Sequence, residues 1–179
     1  MPGLTTKVTV ALLFLVCGHT ATLRAADRLS LIDAARNADT NALRALLKEG
    51  VDVNAAAADG TTALHWASYR DAVESADLLI RAGANANAAN DLGATPLWTA
   101  SVNGSAAMVG RLLQAKADPN LALLLGETPL MAASRSGNPL VITQLIDKGA
   151  HVLCLFARSR NLVVETIEHG LLIQIFEAP

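Results

Sequence analysis

Apolar residues recur along this chain with two periods. The short period is visible in residues 74–82, where apolar side chains return at helical spacing and Gly83 follows. A glycine in that place favours the left-handed turn that ends many helices, so the segment predicts a short amphipathic helix. The long period is 33 residues, and it is kept by Leu31, Leu64, Leu97 and Leu130, by Leu46, Leu79, Leu112 and Leu145, and by Ala34, Ala67, Ala100 and Ala133. This period predicts a chain built from repeated units.

Turn and polar residues keep the same period. Thr95 with Pro96, and Thr128 with Pro129, each place an N-cap residue before a proline at the first helical position, which starts a helix efficiently. The other series are Gly50, Gly83 and Gly149 with Lys116 in the remaining place, Gly60, Gly93 and Gly126, and Asn54, Asn87 and Asn120. Each unit is therefore predicted to hold two short helices and a glycine-containing turn.

Three units carry a recognisable motif at the start of the first helix. The motif residues are Thr62-Ala63-Leu64-His65, Thr95-Pro96-Leu97-Trp98 and Thr128-Pro129-Leu130-Met131. With the later L-L and G-A-x-x-N-A segments, they make the chain resemble the ankyrin-repeat family over residues 27–152. The resemblance implies an all-α repeat fold: an ankyrin solenoid of stacked antiparallel helix pairs, with β-hairpin fingers along one edge and a concave face. About four repeats are expected, at residues 27–55, 56–88, 89–121 and 122–152, the first of which resembles a capping repeat.

The N-terminal residues 1–26 do not follow the repeat. Lys7 precedes an apolar segment of ten residues, Val8–Cys17, and small residues follow it, with Ala25 and Ala26 as candidate cleavage positions. These features predict a signal peptide and a bacterial-type exported protein, periplasmic or secreted. Arg24 is unfavourable near the cleavage position. The alternative is an uncleaved segment that anchors the chain in a membrane, although the run is shorter than the roughly 20 residues of a typical span.

The C-terminal residues 153–179 also depart from the repeat. No further T-P-L motif occurs, and Leu153 stands where the asparagine series would continue. The stretch from Leu162 to Gly170 resembles a second repeat helix that ends in glycine. Three interpretations remain open: a degenerate C-terminal cap, an extension that packs on the last repeat, or an unnatural end from a truncated or frame-shifted reading.

Composition and charge exclude some functions. The formal net charge is −2, and no run of like charges indicates nucleic-acid binding. The sequence has no G-x-S-x-G, no H-E-x-x-H and no phosphate-binding glycine-rich loop. The family resemblance gives His65 a structural role, in which its ring links neighbouring loops. Asp59 and Asp91 could form a paired carboxylate site, but solvated turn residues are the favoured interpretation. The chain is therefore predicted to be no enzyme and to need no cofactor and no metal.

The family resemblance places partner contacts at the finger tips and at the exposed ends of the first helices. The tips run from polar to apolar along the stack, and leucines stand where a turn normally carries Asp or Asn. Apolar side chains at such a tip indicate a contact site, or a surface that the C-terminal residues cover. The residues predicted to bind a partner are Asp59, Thr61, Tyr69, Arg70, Asp91, Leu92, Val102, Asn103, Leu124, Leu125, Glu127 and Arg135. Ala58 and Ala94 are also assigned to the tips, and Ser136 to a first-helix end.

The favoured function is a non-catalytic protein-interaction module that binds an unidentified partner protein through its concave face. Neither nucleic acid nor a membrane is an expected partner, unless the N-terminal segment is retained. The chain is expected to be a monomer. A membrane-tethered adaptor is the alternative, and an enzyme with a minimal Asp59–Asp91 site is the third hypothesis.

Overall fold

Four helix pairs make up the repeat region of the computed structural model, which describes residues 31–152, 163–167 and 170–174. In each pair a short first helix is followed by a longer second one. The helices are α1 (the described residues 31–36), α2 (Thr40–Lys48), α3 (Ala63–Tyr69), α4 (Val73–Arg81), α5 (Pro96–Val102), α6 (Ala106–Gln114), α7 (Pro129–Ser136) and α8 (Pro139–Asp147). First helices pack on first helices and second helices on second helices. The predicted ankyrin solenoid is confirmed.

The first helices begin where the Thr-Pro pairs predict. The Thr95 hydroxyl accepts a hydrogen bond from the Trp98 backbone N–H at 3.1 Å, and the Thr128 hydroxyl accepts one from Met131 N–H at 3.3 Å. Pro96 and Pro129 occupy the first helical turn, where a missing N–H leaves no bond unmade.

The leucine and alanine series form one continuous core. Members of both series are buried at the contacts between successive pairs: Leu64, Leu79, Leu97, Leu112, Ala67 and Ala100. Leu46 and Leu130, in the first and last pairs, are only partly buried against this core.

Asparagines of one series join each repeat to the next. The Asn54 side chain donates to the Gly83 carbonyl at 3.1 Å and accepts from Asn85 N–H at 2.7 Å. Asn87 and Asn120 make the equivalent two bonds one and two repeats further on. The asparagines that recur every 33 residues therefore form a ladder of hydrogen bonds along the stack.

The C-terminal residues adopt strands where a helix was expected. Strand β1 (Val163–Ile167) pairs antiparallel with β2 (Gly170–Gln174), with Val163 opposite Gln174 and Ile167 opposite Gly170. The helical interpretation of the stretch from Leu162 to Gly170 is therefore wrong. β1 is rich in β-branched residues, which favour strands, and this preference outweighs the resemblance to a repeat helix. Residues 1–30 and 153–162, with the predicted signal segment, lie outside the described residues.

Candidate functional site

Three finger turns stand in a row along one edge of the stack. Each is closed by a backbone hydrogen bond, from Ala57 N–H to the Thr61 carbonyl in the first finger and from Leu123 N–H to the Glu127 carbonyl in the third. The second finger, residues 90–94, has the equivalent bond at 3.1 Å. The predicted hairpin fingers are confirmed, and the tips they present form a regular series.

Hydrogen bonds also fasten each finger tip to the next. Asp91 N–H donates to the Asp59 carbonyl at 2.9 Å, and Leu124 N–H donates to the Leu92 carbonyl at 3.1 Å. Gly93 has φ +79°, and a Cβ there would lie 3.0 Å from the Leu124 nitrogen. Glycine at this position therefore permits both the turn and the close approach of the next finger. The tips form one continuous surface.

Most predicted tip residues are exposed. Leu92, Leu124 and Leu125 are 69%, 76% and 98% exposed, and Asp59 and Asp91 are exposed as well. Ala94 is buried at the base of its finger, where its carbonyl accepts from the His65 ring of the preceding unit. The prediction that Ala94 belongs to the tip surface is wrong.

The polar tip residues differ in how many hydrogen bonds and ion pairs they form with neighbouring residues. Thr61 is half-buried, and both its backbone N–H and its hydroxyl donate to the Asp59 carboxylate. These hydrogen bonds, with that of the backbone N–H first in importance, hold the pKa of Asp59 below its ordinary value. Glu127 forms an ion pair with Arg135, which links the third finger to α7. Asp59 and Asp91 form no ion pair with any residue in 31–152.

The exposed ends of the first helices bring a second group of predicted residues to the surface. Tyr69 and Val102 are 60% and 44% exposed at equivalent positions of α3 and α5. The Asn103 side-chain amide donates to the carbonyls of Ser68 and Tyr69, at 3.1 and 3.0 Å. Arg70 Nε donates to the Arg36 carbonyl at 2.8 Å. Asn103 and Arg70 therefore hold successive repeats together in addition to facing solvent.

Two residues of this surface, Arg36 and Trp66, are not among the predicted binding residues. The Arg36 guanidinium lies 4.6 Å from the centre of the Trp66 ring, a cation–π distance. Trp66 in turn meets Tyr69 edge to face, with ring centres 5.8 Å apart. Arg36 precedes Tyr69 by one full repeat, so the 33-residue register contained the signal that would have identified it.

His65 has the structural role that the family resemblance implies. Its Nε2–H donates to the Ala94 carbonyl in the next finger at 2.9 Å, and its Nδ1 accepts from Thr62 N–H at 3.1 Å. Burial lowers the pKa of His65 below its ordinary value, which keeps the ring neutral and fits this pair of bonds. Trp98 takes the equivalent position one repeat later, and its buried Nε1–H has no acceptor among the described residues. One link between fingers is therefore absent there.

In residues 31–152 and the two C-terminal strands, no group of three or more His, Cys, Asp or Glu side chains is placed to hold a metal ion. The helices of the same region are too short or too polar for any of them to cross a membrane.

Comparison with known proteins identifies one family. A family model described as "Ankyrin repeats (3 copies)" matches residues 7–90, 31–122 and 72–155, and these overlapping matches cover well over half of the chain. No curated protein matches the chain.

Proposed function

This chain belongs to the ankyrin-repeat family, and we propose that it binds a partner protein through its finger tips and the exposed ends of its first helices. Repeats of this family typically mediate protein–protein interaction. A fold alone does not identify a partner, since members of one fold differ in their exposed side chains. The surface chemistry of this chain therefore has to support the function.

The distribution of exposed apolar side chains carries this proposal. Six large apolar residues are exposed in the described region, and five of them lie at finger tips or first-helix ends. The sixth, Leu140, lies on the second helix α8. Apolar side chains gathered on one face of a soluble domain are typical of a contact site. Tyr69 also belongs to a residue type that often dominates binding energy.

Site-specific photo-crosslinking tests the binding face. A photoreactive phenylalanine analogue placed at Tyr69, and separately at Leu125, is expected to capture the same partner protein in the host cell. The matched control carries the analogue at Leu140, which is similarly exposed on another helix. Capture of that partner from the control position alone, or from no position, would contradict the proposal.

The same surface supports a non-catalytic role. A general acid at neutral pH needs a raised carboxyl pKa, whereas hydrogen bonds from Thr61 lower the pKa of Asp59. Asp91 lies on the neighbouring finger and is exposed. Two solvated carboxylates of this kind suit recognition better than proton transfer. Any activity detected in the purified chain should be unchanged in the Asp59→Asn/Asp91→Asn variant.

We also propose that the chain is an exported monomer. Lys7, the apolar segment Val8–Cys17 and the small residues Ala25 and Ala26 support a cleaved signal peptide. N-terminal sequencing of the protein from its host should then begin at residue 26 or 27, in a periplasmic or secreted fraction. An intact N-terminus in the membrane fraction would instead favour the tethered adaptor. Sedimentation velocity of the purified chain tests whether it is a monomer in solution.

A further inference from the structure

The row of finger tips changes chemistry along its length. Each tip has two adjacent residues that are equivalent from finger to finger. The first of them is Ala58, Asp91 or Leu124, and the second is Asp59, Leu92 or Leu125. Acidic residues therefore lie toward the N-terminal end of the row and leucines toward its C-terminal end. All except Ala58 carry either a charge or a large apolar side chain into solvent.

The three leucines form one surface, here called the leucine tip patch (Leu92, Leu124 and Leu125). The bond from Leu124 N–H to the Leu92 carbonyl places the second and third tips side by side, and Leu125 follows Leu124 directly. Each side chain is more than two-thirds exposed. Three leucines fixed next to one another by a backbone hydrogen bond are a larger apolar target than single exposed residues such as Leu140.

The acidic residues of the fingers differ in whether they form an ion pair within the described stack. Some acids of the stack form ion pairs, for example Asp77 with Arg111 at 3.6 Å and Glu127 with Arg135. The pairing of Glu127 removes net charge from the leucine end. Asp59 and Asp91 have no such partner in the described stack, and their tips are joined by the bond from Asp91 N–H to the Asp59 carbonyl. The row is therefore apolar at one end and anionic at the other.

The spacing of the fingers sets the size of a matching segment. Each finger is a hairpin with two extended segments, and neighbouring extended segments lie about 4.8 Å apart. Equivalent tips of successive fingers should therefore be about 10 Å apart. Asp59 then lies about 20 Å from Leu125. An extended peptide rises about 3.3 Å per residue, so about six residues would reach from the leucine tip patch to Asp59.

On the basis of the proposed function, we propose that the partner presents an amphipathic, cationic segment to the finger tips. Its apolar side chains contact the leucine tip patch. Lysine or arginine side chains on one side of that apolar cluster pair with Asp91 and Asp59. The asymmetry of the row fixes the direction of the segment, because a reversed segment would place its cations on the leucines.

Three synthetic peptides test the partner's chemistry. Each is a fluorescein-labelled 14-residue peptide with the same leucine-alanine half, and the other half carries lysine, glutamine or glutamate. We expect fluorescence anisotropy with the full chain to give the tightest binding for the lysine peptide and at least tenfold weaker binding for the glutamate peptide. Added salt should reduce that difference, because the charges are exposed.

Variants of the chain locate the two ends of the contact. Asp59→Asn/Asp91→Asn should bring the lysine peptide to the affinity of the glutamine peptide, while Asp147→Asn, an exposed acid on α8, should have no effect. Leu124→Ser/Leu125→Ser should weaken all three peptides at least tenfold, while Leu140→Ser should not. Circular dichroism checks that each variant is folded, as expected for exposed positions.

Several outcomes would overturn the proposal of a cationic partner segment. These are no binding of the lysine peptide at 1 mM, equal binding of the glutamate peptide, or no effect of the Asp59→Asn/Asp91→Asn change. A dimer of the chain that Leu124→Ser/Leu125→Ser converts to monomer would assign the patch to a second copy, and tighter binding to phosphatidylcholine vesicles would assign it to lipid. If photo-crosslinks at Tyr69 and Leu125 persist in these cases, the protein-binding function stands and only the partner chemistry is wrong.

Discussion

At the scale of single residues, the turn after a second helix imposes a left-handed backbone on whatever residue fills it. Gly83 has φ +91° and Gly149 φ +86°, and Lys116 has φ +65° at the equivalent place. A side chain makes this conformation unfavourable, since Cβ crowds the neighbouring carbonyl. Replacing Lys116 with glycine should therefore raise the free energy of unfolding by about 1 kcal/mol. Urea denaturation followed by circular dichroism measures the change.

Lys148 provides the matched control for Lys116. It also follows a second helix, but its φ is −97°, so glycine relieves no crowding there. Lys148→Gly should lower the free energy of unfolding, because glycine loses more backbone entropy on folding. Equal effects of the two substitutions would show that the sign of φ at Lys116 is unimportant for stability.

His65 should make the stability of the chain depend on pH. Burial lowers its folded pKa below the ordinary value of 6.5, so below pH 6.5 the unfolded chain binds the proton more readily than the folded one. Stability should therefore be complete above pH 6.5 and should decrease as the pH falls from there toward the folded pKa. Thermal unfolding midpoints recorded between pH 7.5 and pH 5 measure this loss.

The variant His65→Gln isolates the contribution of this ring. Glutamine does not titrate, so the part of the pH dependence that begins at pH 6.5 should disappear. The lowered pKa of Asp59 acts in another window, since its contribution is present above 3.8 and is lost only as the pH falls further. An unchanged pH profile in His65→Gln would show that other groups produce the effect.

At the scale of elements, the second and third fingers differ in how their turns are held. The Asn90 side chain accepts from the backbone N–H groups of Leu92, at 3.0 Å, and Ala94, at 2.9 Å. Leu123 occupies the same place in the third finger and offers no acceptor. Leu123→Asn should supply bonds to the N–H groups of Leu125 and Glu127 and slow their hydrogen exchange several-fold.

The first finger supplies the comparison for Leu123→Asn. There the Asp59 carboxylate already accepts from Thr61 N–H at 3.0 Å, which closes the turn from a different position. Ala57→Asn would offer a second acceptor for a donor already bonded, so exchange of the Thr61 amide should change little. If both substitutions slow exchange equally, the difference between the fingers lies elsewhere.

Elements of the repeat region were predictable because each is specified locally and then repeated. Thr95 with Pro96 starts a helix by capping alone, and Gly83 ends one by its backbone freedom. The buried state of Ala94 and the double use of Asn103 were not predictable in this way. Both depend on how one unit sits against its neighbour, which a motif within one unit does not encode. The strands at Val163–Ile167 and Gly170–Gln174 lie beyond the last repeat, where the register gives no guidance.

At the scale of the whole molecule, stability depends on coupling between neighbouring units. The asparagine series supplies part of this coupling, because Asn54, Asn87 and Asn120 each bond to the following unit. The binding face is less regular, since Tyr69, Val102 and Arg135 share a position and differ in chemistry. The repeated residues therefore determine the scaffold, and the positions at which the repeats differ determine the chemistry of the binding face.

Breaking one coupling in the middle of the stack should separate the unfolding of its two halves. The Asn87 side chain donates to the Lys116 carbonyl at 3.2 Å and accepts from Asp118 N–H at 2.7 Å, which joins the unit of Trp66 to that of Trp98. Asn87→Ala removes both bonds and should lower the free energy of unfolding by about 1–2 kcal/mol. In urea, Trp66 fluorescence (measured with Trp98→Phe) and Trp98 fluorescence (measured with Trp66→Phe) should then report different midpoints.

Asn120→Ala tests whether the position of the break, and not the loss of two bonds, causes that separation. Asn120 makes the same two bonds, to the Gly149 carbonyl at 3.0 Å and from His151 N–H at 2.8 Å, but it joins the last two units. Both tryptophans lie on the N-terminal side of that break. Their midpoints should therefore stay coincident in Asn120→Ala, although the chain loses a similar amount of stability. Coincident midpoints in Asn87→Ala as well would mean that the buried leucine and alanine contacts alone keep the stack cooperative.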